Sequence, residues 1–352
     1  MHSKLFLLIL SACALTLVAC SGSRSEGLPV AEGNRYATGF RIEQRDSVTH
    51  VEVYSPWAKN GQREVMAEYT ITRPIHRIAT ASCTHVGFLD ALGKLGSVVA
   101  VCNKDLVFTP LADSVLDAGD SMTPNVETMM LAAVDAVMVS TYAQGDEASE
   151  RLKKLGLQVI YNNEWMEASP LARAEWIRFV AAFYDCLPLA DSLFSEVVTR
   201  YQSLATRHSP ARPLSIMTGN NFRGTWYVPS GNTYMGNLFS DAGAVYPFYD
   251  NMRNGSIPLT VEQVVSFFAD ADVWVGSNAR SLDELARMDD KHTWFRAYHQ
   301  ARVYNWYKQT RPGGANNFWE RGVVHPEEIL SDLITILYGH DDESLNYAEH
   351  LP

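Results

Sequence analysis

The residues best suited to chemistry follow runs that read as strands, and their types suit capture of a ligand better than bond-making. Thr84-His85, Asn103-Lys104 and Thr141-Tyr142 come after RIATASC, SVVAVC and DAVMVS, and GNNFRGTWY, holding Arg223, Trp226 and Tyr227, comes after PLSIMT. Asn278 follows DVWVGS, and WYKQTR, with Trp306, Lys308 and Arg311, ends the series. Ligands of open parallel sheets bind outside the carboxyl ends of the strands, so these positions mark a candidate site. The aromatic side chains offer flat apolar faces, while Arg223, Lys308 and Arg311 suit peripheral carboxylates or a net-negative complex. Each also has an ordinary reading: Trp226 and Trp306 as packing between lobes, Arg311 as a partner for an acid beside the Pro312-Gly313-Gly314 turn. His85 opens a predicted helix, where it serves either as an axial ligand to a metal or as a satisfied structural histidine. Phe318-Trp319-Glu320-Arg321 reads as internal packing and pairing.

Covalent chemistry has no support in the sequence. There is no GxSxG elbow, glycine-rich phosphate loop, CxxC pair or HExxH. His292 and His299 lie in DDKHTWFRAYHQ, which reads as a solvated surface helix, so a free-metal site built from converging His, Asp and Glu is not apparent.

The elements that must position these residues fall within 352 residues, enough for two lobes with cores of their own. A hydrophobic fraction of 47% and a charged fraction of 20% fit a globular protein, and a net charge of −11 argues against nucleic acid as a partner. Residues 1–19, with Lys4 before LFLLILSACALTLVA, read as an export signal too short to span a membrane comfortably. Small residues before Cys20 look like a bacterial lipobox, which would make Cys20 the acylated first residue of the mature chain, followed by a tether over 20–35. In an oxidising compartment Cys83, Cys102 and Cys186 remain; a Cys83–Cys102 disulfide and buried free thiols both fit the spacing.

Alternating apolar and polar residues over 36–75 predict an antiparallel β extension. Strand-helix alternation then predicts mainly parallel α/β lobes over 76–168 and 209–341, with connecting helices over 169–208 and a tail over 342–352. The fold class is therefore α/β, two lobes joined by a single long rigid helix that starts near Leu189. One phrase is written twice: VETMMLAAVDAVMV at 126–139 and VEQVVSFFADADVWV at 261–275. Each sets a glutamate, Glu127 or Glu262, in the first turn of a helix that feeds a strand. The helix dipole favours a carboxylate there, which accounts for either residue singly. An outward pair matched to two cationic sockets on a symmetric partner accounts for both.

Those repeats, with TASCTHVGFLDALGKLGSVVAVCN and VYNWYKQTRPGGANNFWERGVVHPEEILSDLITILYG, resemble the substrate-binding proteins of ABC importers for iron chelates and cobalamin, over roughly residues 76–340. The resemblance implies a ligand held between the lobes, little hinge motion, and Glu127 and Glu262 docking on arginines of a permease dimer. It further implies a monomer in the periplasm, lipid-anchored to the cell envelope membrane, with no covalent cofactor and a ferric siderophore, haem or cobalamin as cargo. Val134-Asp135 departs from the family's Pro-Asp at that point. A tetrapyrrole-acting enzyme such as a metal chelatase and a free divalent-metal receptor are the alternatives. The first would want an acid grouped with His85, and the second three or four ligands converging on the cleft.

Overall fold

The computed structural model describes residues 30–58, 62–207, 210–253, 255–339 and 342–352. The export segment, Cys20 and most of the tether lie outside the described residues. The alternating stretches form strands β1 (Phe40–Arg45), β2 (Val48–Tyr54) and β3 (Val65–Ile71), an antiparallel sheet in that order. Period two puts Phe40, Val51, Val53 and Tyr69 into the core.

A parallel sheet follows, built from β4 (Ile78–Thr80), α1 (Cys83–Ala91), β5 (Val98–Val101), β6 (Leu116–Asp117), α2 (Val126–Leu131), β7 (Ala136–Val139), α3 (Glu147–Lys154) and β8 (Val159–Tyr161). Its strand order is β6-β5-β4-β7-β8, and β4, β7 and β8 are buried throughout, as a sheet covered on both faces requires. Helices start where the sequence supplies caps: Ser82 for α1, Asn125 for α2 and Asp146 for α3 each accept a backbone N–H.

The connection consists of two helices. It is shared by α4 (Pro170–Ala182), capped by Ser169 and nearly all buried, and α5 (Leu187–Arg207), whose 21 residues span about 30 Å. The break at residues 183–186 includes Asp185 in the left-handed region, φ 51°. The long helix expected from Leu189 begins two residues earlier, with Pro188 in its first turn marking the restart in the sequence.

The second half comprises β9 (Ile216–Thr218), β10 (Asn221–Phe222), β11 (Thr225–Pro229), α6 (Tyr234–Asp241), β12 (Ser256–Leu259), α7 (Val261–Phe268), β13 (Val273–Val275), α8 (Leu282–Met288), α9 (Arg296–His299), β14 (Val303–Asn305), α10 (Asn317–Glu320), α11 (Pro326–Tyr338) and β15 (Glu349–His350). Its main sheet runs β15-β14-β13-β9, with a parallel bridge from Ser215 to Val245 beyond β9. Strands β10, β11 and β12 form a separate antiparallel sheet where a loop was expected. The residues expected as a tail are also part of the lobe: β15 pairs with β14, and Tyr347 and Leu351 are fully buried. Asp332 on α11 accepts the N–H groups of Asn346, Tyr347 and Ala348, which fixes that segment.

The repeated phrase has a structural reason at its aspartates. Asp135 accepts the N–H groups of His76 and Arg77 just before β4, both at 2.9 Å. Asp272 accepts the N–H and the hydroxyl of Ser215 just before β9, both at 2.8 Å. Each aspartate therefore ties the start of its own strand, β7 or β13, to the neighbouring strand. Val134 in place of proline leaves this bond intact.

The halves are also fastened to each other. Glu320 on α10 is buried and accepts the N–H of Phe108 at 2.6 Å and of Thr109 at 2.8 Å. Burial pushes its carboxyl up despite these bonds. Gly87 on α1 lies so close to α10 that a Cβ there would stand 2.0 Å from the Glu320 carbonyl oxygen.

Candidate functional site

A cavity of about 650 Å³ lies at the carboxyl ends of β9, β13 and β14, within the range of small-ligand pockets. Thr218 and Gly219 follow or end β9, Gly276, Ser277 and Asn278 follow β13, and Trp306 and Tyr307 follow β14. Both strand-end glycines adopt positive φ, +83° at Gly219 and +73° at Gly276. A Cβ on Gly219 would meet the Tyr227 carbonyl at 2.4 Å, so the chain turns away from the sheet there only as glycine.

The wall is aromatic. Trp306 stacks on Phe318 with centroids 4.7 Å apart and planes 15° apart, and Trp319 meets the edge of Phe318 at 4.7 Å. The Trp306 carbonyl accepts from Asn316 Nδ2 at 2.9 Å, which fixes the turn carrying the stack. Tyr227, 52% exposed, and Trp319, 49% exposed, face the open side. Among the described lining residues there is no Lys, Arg or His, and the one carboxylate, Glu167, is already engaged by protein donors. The remaining polar groups are neutral hydroxyls and amides, such as Ser277, Asn278, Asn232 and Thr233. Such a surface holds a ligand by dispersion and neutral hydrogen bonds.

Among the described residues, the first half contributes Trp165, Met166 and Glu167 to the wall, from the turn after β8. Its other strand ends are filled. His85 is fully buried, with Nε2 3.2 Å from the Ser140 hydroxyl, which in turn donates to the Asn162 carbonyl. Asn163 Oδ1 accepts from both the N–H and the hydroxyl of Thr141. Burial pushes the His85 imidazole down to about 3, so it is neutral near pH 7.

Of the residues expected at the site, Tyr227 and Trp306 line the cavity. Trp226 does not: it is fully buried beneath the floor, donates from Nε1 to the Thr218 carbonyl at 2.8 Å, and packs on Trp274, His292 and Phe295. The reason is that TWYVP is a strand, in which Trp226 and Tyr227 must point to opposite faces. His85 is likewise removed from any ligand by its burial. Tyr142 stands beside the wall, its ring tilted by 31° to that of Trp165 with centroids 5.4 Å apart. Arg223 sits in the β10–β11 turn at φ 53°, over Phe222. Lys308 donates to the Glu343 and Leu345 carbonyls, and Arg311 lies over Phe108 at 4.7 Å. The expected cationic side of the site is therefore absent from the wall.

Phe318 and Trp319 belong to the site, although FWER read as internal packing; Glu320 and Arg321 do pair within the protein. Trp165 was within reach of the strand-end rule, since it follows β8, the last strand of its sheet in the chain. His292 is buried, bonded to the Leu285 carbonyl and the Asn221 N–H, and lies in a 3-10 turn separate from the helix of His299. Cys83, Cys102 and Cys186 are free thiols, and burial pushes the first two up to about 12. No cluster of three or more His, Cys, Asp or Glu able to hold a metal occurs among the described residues.

Residues 78–310 match the family model described as periplasmic binding protein, which is more than half of the chain. The chain belongs to the periplasmic binding protein family. Its fold agrees with solved structures in the same terms. A periplasmic binding protein from Veillonella parvula aligns at a TM-score of 0.61 with 10% identity, covering 86% of this chain and 99% of that one. The vitamin B12 binding protein of Vibrio cholerae gives 0.56 and 16%, covering 75% and 96%. The haem binding protein of the same organism gives 0.57 and 17%, covering 72% and 98%. An uncharacterized lipoprotein of Methanocaldococcus jannaschii is 25% identical over 282 residues, 76% of this chain. The chain spans 66% and 61% of the lengths of the two such lipoproteins it matches. The family is described as one of binding proteins. No helix among the described residues is long and apolar enough to cross a membrane.

Proposed function

We propose that this periplasmic binding protein captures an uncharged, coordinatively closed metal chelate, of the cobalamin or neutral ferric hydroxamate kind, and delivers it to an ABC permease. The observation that carries the ligand class is the cavity wall: stacked aromatic rings and neutral hydrogen-bonding groups, without a cationic side chain among the described residues. A haem would bring two propionates and a ferric catecholate a net negative charge, and the wall offers neither a partner. A closed coordination sphere needs no ligand from the protein, which agrees with a wall of tryptophan, phenylalanine and tyrosine. That a solved structure of similar fold is a vitamin B12 binding protein supports this choice.

Delivery rests on Glu127 and Glu262. Both are exposed, each in the first turn of a capped helix, and α2 and α7 stand at equivalent points of the two sheets. The Glu262 carboxyl is held below its ordinary range by its own backbone N–H and by Thr260. They would meet cationic sockets on the two permease subunits, while the Glu320 clasp limits relative motion of the lobes. Acylation at Cys20 would hold the monomer at the envelope membrane, in keeping with the lipoprotein names of the archaeal relatives.

Absorbance and calorimetric titrations with cyanocobalamin, ferrichrome, haemin and ferric enterobactin test the ligand class. One of the two neutral complexes is expected to bind at least tenfold more tightly than either anionic one. Tightest binding by ferric enterobactin would overturn the assignment. Double charge reversal, Glu127→Lys with Glu262→Lys, is expected to abolish uptake through the cognate permease with the ligand affinity unchanged; loss of both would make the carboxylates structural.

A further inference from the structure

We infer that the N-terminal β extension is a positioning element of the ligand cavity, acting through the Trp165–Glu167 turn. Among the described residues that turn is the first half's contribution to the wall, and beyond one 3-10 turn it has no regular structure to hold it. The extension clamps it at both ends. At the far end, Glu167 Oε1 accepts the N–H groups of Thr38 and Gly39, both at 2.9 Å, and Trp176 Nε1 at 3.0 Å, while Oε2 accepts the Thr38 hydroxyl at 2.9 Å. At the near end, the Tyr69 hydroxyl on β3 accepts the Tyr161 N–H at 3.0 Å, and the Met66 sulfur lies 3.7 Å from Asn163 Nδ2.

The clamp is itself anchored. Glu175 on α4, fully buried, accepts the N–H groups of Arg35, Tyr36 and Ala37, each at 2.7 Å. Five consecutive backbone donors, residues 35–39, are thus spent on two buried carboxylates, which fixes the segment immediately before β1. Gly39 is the point of closest approach, since a Cβ there would stand 2.8 Å from Trp176 Cζ2 and 3.2 Å from Glu167 Oε1. The parallel sheets do not need this segment for their own pairing. Its bonds are directed to the cavity turn and to the helix beneath it.

The inference rests on the cavity being the ligand site, and the test separates the two. In the full mature chain, Gly39→Ala is compared with Ile42→Ala, which trims a half-buried side chain on β1, a strand of the extension that does not pair with β3. Gly39→Ala is expected to speed amide hydrogen exchange over residues 163–168 at least tenfold without ligand, and to weaken cyanocobalamin or ferrichrome binding about tenfold. Ile42→Ala, at a similar loss of thermal stability, is expected to do neither. Unchanged exchange over 163–168 in Gly39→Ala, or equal changes in both variants, would overturn the inference. Faster exchange with unchanged affinity would leave the clamp standing and remove the turn from the ligand site. Should Gly39→Ala fail to fold, Thr38→Val, which removes only the hydroxyl donor to Glu167, is read the same way with about a threefold effect expected.

Discussion

The two sheets follow one path and end differently. In both, the first strand pairs in parallel with a later strand that is fed by a glutamate-led helix and pinned by an aspartate, yet one set of strand ends is plugged and the other hollow. His85, Ser140, Thr141, Asn162 and Asn163 fill the space at the carboxyl ends of β4, β7 and β8 with mutual hydrogen bonds. Gly219 and Gly276 clear the same space at the ends of β9 and β13, where aromatic rings form the wall instead. A shared topology therefore supplies the location of a site, and the residues just past the strands decide whether it is used.

The largest effect that would sharpen this contrast lies beneath the hollow. Trp226→Ala removes a fully buried indole from the floor and is expected to cost about 3–5 kcal/mol in urea unfolding, with collapse of binding following collapse of the floor. Binding lost at full stability would instead make Trp226 a ligand contact.

The plug is tested by acid. Because burial holds folded His85 at about 3, the unfolded chain takes up a proton below about pH 6.5 that the folded chain refuses. Stability is then expected to fall by about 1.4 kcal/mol per pH unit between roughly pH 6 and 3 from this group. His85→Leu should flatten the difference in urea midpoints over that range. An unaltered slope would show that the imidazole is not the group responsible.

Sequence reading carried far in the fold and less far at the site, and particular residues show why. The parallel halves and the antiparallel extension were legible because period-two and apolar-run patterns act locally. The docking of β15 was not, since it depends on partners such as Asp332 that only folding brings near. At the candidate site, the strand-end rule picked out Tyr227 and Trp306, which line the cavity. It failed for Trp226 because the short strand β11 was read as a loop, and for Lys308 because its carbonyl partners come from residues 343 and 345.

The matched aspartates test the shared half of the comparison. Asp135→Ala and Asp272→Ala should each cost about 1–2 kcal/mol in urea unfolding, by leaving strand-start donors without their acceptor, and neither should change ligand affinity. A large difference between them would show that the two bonds are not equivalent. The smallest stability effect belongs to the rim: Tyr227→Ala, at a half-exposed position, should shift stability by about 0.5 kcal/mol or less while weakening chelate binding about tenfold. Unchanged affinity would take Tyr227 out of the site.

Hydrogen-exchange mass spectrometry of the chain saturated with cyanocobalamin, or with ferrichrome if that is the tighter ligand, tests the central claim most directly. Protection is expected over residues 218–229, 276–278 and 306–319, with a smaller effect at 165–167. Protection centred on 82–85 and 140–142, or saturation by neither complex, would contradict the account.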